Sequence, residues 1–245
     1  MSTETEWHKT PVGRYVAECE QHYFDQTVAD IFGFNALQLG MPADDLLRNS
    51  RIPYRFKAAS QGEVKTLCET GQLPFATHSI DLLLLSHGLE FCPNPHQVLR
   101  EAERVLVPEG HIVVSGFNPF SLWGVRHAFS KRCDYPWNGR FLPLLRVKDW
   151  LALLGFEVMG GRMGCYVPPL VTEQWLCRFA FLDHAGNRWW PMMGGVYMLT
   201  AKKRVSGMRL IKPHWNGAKM AQVFVPRPTQ RSECQNNQYN VQEKS

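Results

Sequence analysis

Residues 73–91 read LPFATHSIDLLLLSHGLEF. A turn-forming opening gives way to Ile80 and the four leucines Leu82–Leu85, with only Asp81 between them. A run that is apolar on both faces is what a strand needs when helices cover both sides of a parallel sheet. The segment therefore predicts a buried, central strand. Just downstream, Asn94 is a good N-cap, Pro95 suits the first helical position, and Gln97 stands where a capping-box partner would. Val98, Leu99, Ala102, Val105 and Leu106 then fall on one helical face, and Pro108 with Gly110 ends the helix. His111–Ser115 reads as the next strand. This strand–helix–strand unit implies a right-handed crossover and parallel pairing.

The same alternation extends outward. Upstream, Val12, Val16, Cys19, Tyr23 and Ile31 recur at near-helical spacing, predicting an amphipathic helix over 12–31 ended by Gly33. Asn35–Leu39 is a short apolar strand stopped by Gly40, Met41 and Pro42, and Tyr54–Ala59 is a weaker strand. Downstream come a helix over Lys148–Leu154 closed by Gly155, a strand over Phe156–Met159, and a last strand, VYMLTAKKR, over Val196–Arg204. Strands alternating with helices predict an open, doubly wound, mostly parallel α/β sheet, whose ligands bind beyond the carboxyl ends of the strands. The loops 40–45, 59–62, 69–73, 86–91 and 116–119 are thus the places to look for a site.

The 245 residues are 44% apolar, 20% charged and 12% aromatic, enough for one sizeable domain and incompatible with extended disorder. The seven cysteines form no CxxC pair, which argues against a disulfide framework and against a zinc site, and so for reduced thiols and no metal. The formal charge of +5 is concentrated at one end, because residues 206–245 hold six Lys/Arg against two acids. The expected layout is a domain over 1–205, including the N-terminal helix, followed by a basic, disordered tail over 206–245. A weakly basic tail is more often solvated than functional, so no nucleic-acid partner is expected. The polar opening, MSTETEWHKTP, and the absence of a long apolar run predict a soluble, cytoplasmic chain without membrane insertion.

At LPFATHSIDLLLLSHGLEF and NPHQVLREAERVLVPEGHIVVSGFNP the chain resembles the S-adenosylmethionine-dependent methyltransferases of the Rossmann-like class, type 11 subgroup. Glu69, Thr70, Leu73, Pro74, Phe75, Ser79, Ile80, Asp81, Arg104, Val105, Leu106, Pro108 and Gly110 occupy that family's motif places. Similarity in order extends over about residues 34–205. The resemblance implies a seven-stranded sheet with an antiparallel last strand, S-adenosylmethionine as cofactor, and methyl transfer to an acceptor that the motifs do not identify. It implies that Gly40, Glu69, Thr70, Leu73 and Ser86 touch the cofactor, with Glu69 near the adenine amino group. Two places depart from the pattern. The usual acid and three glycines of the first loop appear here as Gln38, Gly40, Pro42 and Asp44, and no carboxylate ends the second strand, Glu63 being the nearest acid. Pro42 fixes φ and lacks a donor where close approach is expected.

His87 is the candidate catalytic residue, because a histidine titrates near neutrality and suits a base for a protonated nucleophile. It also reads as a hydrogen-bonded structural histidine. Glu69 has a second reading as a solvated loop acid, and Leu73 as simple core packing. Glu90 either orients His87 or caps a helix, and Asn118 is expected to form an Asx turn. Trp123, Trp137, Trp150, Trp175, Trp189 and Trp190 are expected to pack the core. The competing function is a methyltransferase-like binding module that has lost catalysis. A nicotinamide-dependent reductase is weaker, because no GxGxxG follows the first strand.

Overall fold

A computed structural model describes residues 4–41, 43–59, 66–130, 134–169, 178–179 and 181–205. Pro42, Glu63, Trp175 and the 206–245 tail lie outside the described residues. Two N-terminal helices, α1 (Glu4–His8) and α2 (Pro11–Ala29), precede β1 (Asn35–Leu39), β2 (Tyr54–Ala59), β3 (Thr66–Leu67) and β4 (Ile80–Ser86). Then follow α3 (Pro95–Val105), β5 (Leu106–Phe117), α4 (Leu122–Phe129), α5 (Leu144–Leu153), β6 (Phe156–Gly164), α6 (Phe181–Trp189) and β7 (Val196–Lys203). The seven strands form one sheet in the order β3-β2-β1-β4-β5-β7-β6. All neighbours from β3 to β5 are parallel, whereas β7 runs antiparallel to both β5 and β6. The doubly wound α/β sheet with an antiparallel last strand is therefore present as expected.

The leucine run does what its pattern requires. Leu82, Leu83, Leu84 and Leu85 are all fully buried, with Leu83 and Leu85 packed on one face and Leu82 and Leu84 on the other. Each such side chain contributes on the order of 1.5–3 kcal/mol by leaving water. The first face is covered by α3 and α5 through Val98, Leu99, Val147 and Leu151. The second is covered by α2, whose Phe24 and Val28 pack, together with Ile31 just beyond the helix, on Ala36, Met41, Leu46 and Leu47. Thr10 starts α2 by accepting a 3.1 Å hydrogen bond from Gly13 N, with Pro11 in the first turn.

Two local expectations need correction. Asn94 makes no side-chain cap on α3, and Gln97 instead donates to Gly71 O at 3.1 Å, tying the helix to the loop over 69–73. The strand after α3 begins at Leu106 rather than His111, because Pro108 and Gly110 sit in an irregular entry where Ile80 pairs with Leu106 before the register shifts. Among the described residues between β1 and β4 there is no helix. Only a turn over 46–49 follows β1, and Leu46 and Leu47 contribute its buried residues. The helix that packs this face comes from before β1. No helix among the described residues is long and apolar enough to cross a membrane.

Candidate functional site

The strand order reverses between β1 and β4, and the carboxyl ends of these two strands carry half of the predicted residues, Gly40, Ser86 and His87. Gly40 follows β1 with φ of +85°, and a Cβ there would lie 2.5 Å from Ser86 O. Glycine is thus required both by the left-handed backbone and by close approach of the two strand ends. Met41 is also left-handed, with φ of +45°, and its side chain is 1% exposed. Its sulfur accepts a hydrogen bond from Ser86 Oγ at 2.8 Å. Gln38, which stands in place of an acid, is fully buried and ties the loop to itself: Nε2 donates to Met41 O and Asp44 O, each at 3.0 Å, while Oε1 accepts from Leu46 N at 3.1 Å.

Glu69 and Thr70 lie on the next loop. Glu69 is exposed and Thr70 half-buried, whereas Leu73 belongs to the core and its N–H donates to Glu101 at 3.1 Å. Arg104 fastens the same loop by donating to Leu73 O and Phe75 O at 3.0 Å while pairing with Glu101 at 2.8 Å. The family-like RVL motif therefore has a local physical task, which is to hold the 69–75 segment in place.

His87 ends β4 with φ of +51° and is enclosed. Nδ1 lies 2.8 Å from Glu90 Oε2, and Nε2 lies 3.0 Å from Glu20 Oε1, within ion-pair range though poorly aligned for a hydrogen bond. The ring stacks on Phe117 with centroids 4.2 Å apart. Glu90 Oε1 also accepts from Phe117 N. Burial would lower the imidazole pKa, but Glu20 and Glu90 outweigh it and raise the value well above 6.5. Burial likewise works against ionised Glu20, yet His87 holds that carboxyl below its ordinary value. For Glu90 burial wins and the pKa is raised. The imidazole thus favours its protonated form between two carboxyl groups of unequal acidity, Glu20 holding its charge more firmly. His8, half-buried and within reach of the Glu20 charge, is shifted down by desolvation.

The structure brings Gly40 and Ser86 together, sets Glu69 and Thr70 on a separate exposed loop, and seals His87 beneath α2. Glu90 orients His87. Asn118 forms the expected Asx turn by accepting from Phe120 N at 3.1 Å, and also donates to Met192 O and Gly194 O. Trp123 is fully buried, but Trp189 and Trp190 are exposed. Sequence reasoning missed Glu20, although Val16, Glu20, Phe24 and Val28 follow one another at four-residue spacing along the buried stripe of α2. An acid on such a stripe was the available signal.

These side chains divide in their fit to a sulfonium nucleoside. Exposed Glu69 is an open acceptor. Beyond β1, by contrast, the Met41 sulfur is already taken by Ser86 Oγ and the Gln38 amide by the loop's own backbone.

Comparison with known proteins gives a consistent family. A family model described as "Methyltransferase domain" matches residues 47–114. The uncharacterized protein YafS of Escherichia coli is 31% identical over 210 residues, spanning 83% of this chain and 82% of its own length. Among solved structures, a SAM-dependent methyltransferase from Archaeoglobus fulgidus aligns with a TM-score of 0.54 at 15% identity, covering 75% of this chain and 92% of that one. The [4+2]-cyclase SpnF aligns with a TM-score of 0.53 at 17% identity, covering 76% and 80% respectively. The latter pair shows a shared fold, and a fold hosts more than one chemistry. With its matched relative, its motif block and its strand order in agreement, the chain belongs to the Rossmann-like S-adenosylmethionine-dependent methyltransferases of type 11, whose cofactor is S-adenosylmethionine.

Proposed function

We propose that the chain binds S-adenosylmethionine along the rim of Gly40, Glu69, Thr70 and Leu73 and transfers its methyl group to an acceptor yet to be assigned. The observation that carries this reading is the reversal of strand order between β1 and β4, with Gly40 at positive φ directly beyond β1. The cofactor supplies an electrophilic methyl group, and the chain contributes alignment, the main requirement of an in-line displacement. Glu69 accepts from the adenine amino group, a charge-assisted contact. His87 serves as a positioning residue, because both of its ring nitrogens face carboxyl oxygens inside the core and neither is open to an acceptor. The acceptor therefore presents its own lone pair.

The second reading, a binding module without catalysis, is favoured by one observation: Met41 is buried against Ser86 where the methionyl end would lie. Calorimetry with S-adenosylmethionine and with S-adenosylhomocysteine, followed by transfer of an isotopically labelled methyl group to extracted metabolites and macromolecules, separates the two. Binding with label transfer supports the enzyme. Binding without transfer leaves the module, and no binding of either nucleoside removes both.

A further inference from the structure

One residue before Glu20 on α2, Cys19 meets the residue that follows β6, Cys165. Gly164 makes this possible, because a Cβ there would lie 2.5 Å from Cys19 Sγ. The two thiols line a partly open cavity of about 310 Å³ together with Tyr15, His22, Met163 and Met198. Cys19 is half-buried, whereas Cys165 is 1% exposed. We propose that Cys19 and Cys165 are a peroxide-sensitive thiol pair that closes to a disulfide, joining α2 to the end of β6.

The two sulfurs are chemically unequal, which gives each a role. The Cys165 thiol donates to Cys19, and its backbone N–H also stabilises Cys19; together these hold the Cys19 pKa below 9.0 against burial, Glu20 and Asp183. Burial raises Cys165 well above that value. Cys19, the more exposed of the two, is thus the attacking sulfur and buried Cys165 the resolving thiol. The oxidant is hydrogen peroxide or an organic hydroperoxide. Cys19 Sγ attacks a peroxide oxygen, the O–O bond breaks, and hydroxide (or alkoxide) leaves as Cys19–S–OH forms. Cys165 Sγ then attacks the sulfenic sulfur, the S–S bond forms, the S–O bond breaks, and hydroxide leaves with the Cys165 proton as water. The two thiols give up two electrons and the peroxide accepts them. With hydrogen peroxide, the overall products are one disulfide and two waters. The donors needed to fix Cys19 and the space needed to admit a small oxidant are both present, which distinguishes this pair from cysteines that merely pack.

The test uses the full-length wild-type chain. After limited peroxide treatment, unreacted thiols are alkylated under denaturing conditions and the non-reduced digest is analysed by mass spectrometry. The expected result is a Cys19–Cys165 cross-linked peptide that disappears with dithiothreitol. Cys165→Ser should stop the reaction at a sulfenic acid on Cys19 that dimedone captures, and Cys19→Ser should leave Cys165 unoxidised. The proposal is overturned if both cysteines remain alkylatable while others oxidise, or if Cys19 proceeds to sulfinic acid with Cys165 still free. The wild-type digest decides the matter even if neither variant folds.

Discussion

Glu69 and Glu90 both follow strands of the same parallel stretch of sheet, yet their surroundings differ completely. Glu69 is exposed, and no side-chain partner engages it among the described residues. Glu90 is 3% exposed, with one oxygen on His87 and the other on Phe117 N. A carboxylate in water is available to a ligand at little cost. A buried one is committed, because releasing it would strand a cation and an amide in a medium that solvates neither. The difference separates a surface that can recognise something new from an assembly that holds α2 to the sheet. The left-handed backbone at His87 belongs to that second part, since the ring is fixed from both sides.

The largest effect that would break the comparison is removal of a partner from the buried assembly. Glu20→Ala leaves His87 with one carboxylate and should cost about 3–5 kcal/mol, the usual consequence of breaking a buried pair. Urea unfolding of the wild type and variant measures it. A loss below about 1 kcal/mol would mean that the His87 charge is not held by Glu20. Next comes Met41→Ala, expected to cost about 2–5 kcal/mol by leaving a cavity among Phe24, Leu46 and Leu47. If Met41 fills the methionyl end, the same change should tighten S-adenosylmethionine binding several-fold by calorimetry even as the fold weakens. Unchanged affinity would place the ligand elsewhere along the rim.

Proton linkage sharpens the comparison further. His87 is held well above 6.5 when folded, so the native state binds this proton more tightly than the unfolded chain. Its contribution is complete below about pH 6.5 and is lost as pH rises through the folded pKa. Glu20, lowered below 4.5, has the opposite sign: its contribution is present above that value and is lost as pH falls through the folded pKa. Glu90 is raised by burial, so its ionisation above pH 4.5 subtracts stability and partly offsets Glu20. Unfolding free energies should therefore decline between about pH 7.5 and 9, above the range in which His8 and His111, both shifted down by burial, act with the opposite sign, and His87→Gln should flatten that decline. An unchanged slope in the variant would assign the pH dependence to another group.

The sheet was readable from residues 73–115 because strand burial and helix period are local properties. The Leu82–Leu85 run and the apolar face from Val98 to Val105 each carried their own answer. The site was less readable, since what decides it is long-range. Nothing near His87 in the chain announces Glu20, which arrives from α2. The capping-box reading of Gln97 failed for the same reason, because Gly71 competes for its amide from a distant loop. The departures in the first loop were visible, but their consequence was not. Gln38 uses its buried amide to build a different loop, and Met41 turns inward where a glycine motif would leave space.

The smallest expected effect is at Glu69, and it separates recognition from stability. Glu69→Gln removes a charge that no described side chain uses, so the unfolding free energy should stay within about 0.5 kcal/mol of wild type. A charge-assisted hydrogen bond to an adenine amino group contributes roughly 1.5–3 kcal/mol, so losing its charge should weaken nucleoside binding by about tenfold. Calorimetry with S-adenosylhomocysteine isolates this effect from methyl transfer and from any acceptor. Adenosine, which lacks the methionyl arm, should show the same proportional loss, because the contact lies at the adenine end. If the loss appears with neither ligand, Glu69 is a solvated acid and the rim does not recognise adenine through it. If it appears with S-adenosylhomocysteine alone, the carboxylate instead senses the charged amino-acid end, and the cofactor lies reversed along the strand ends.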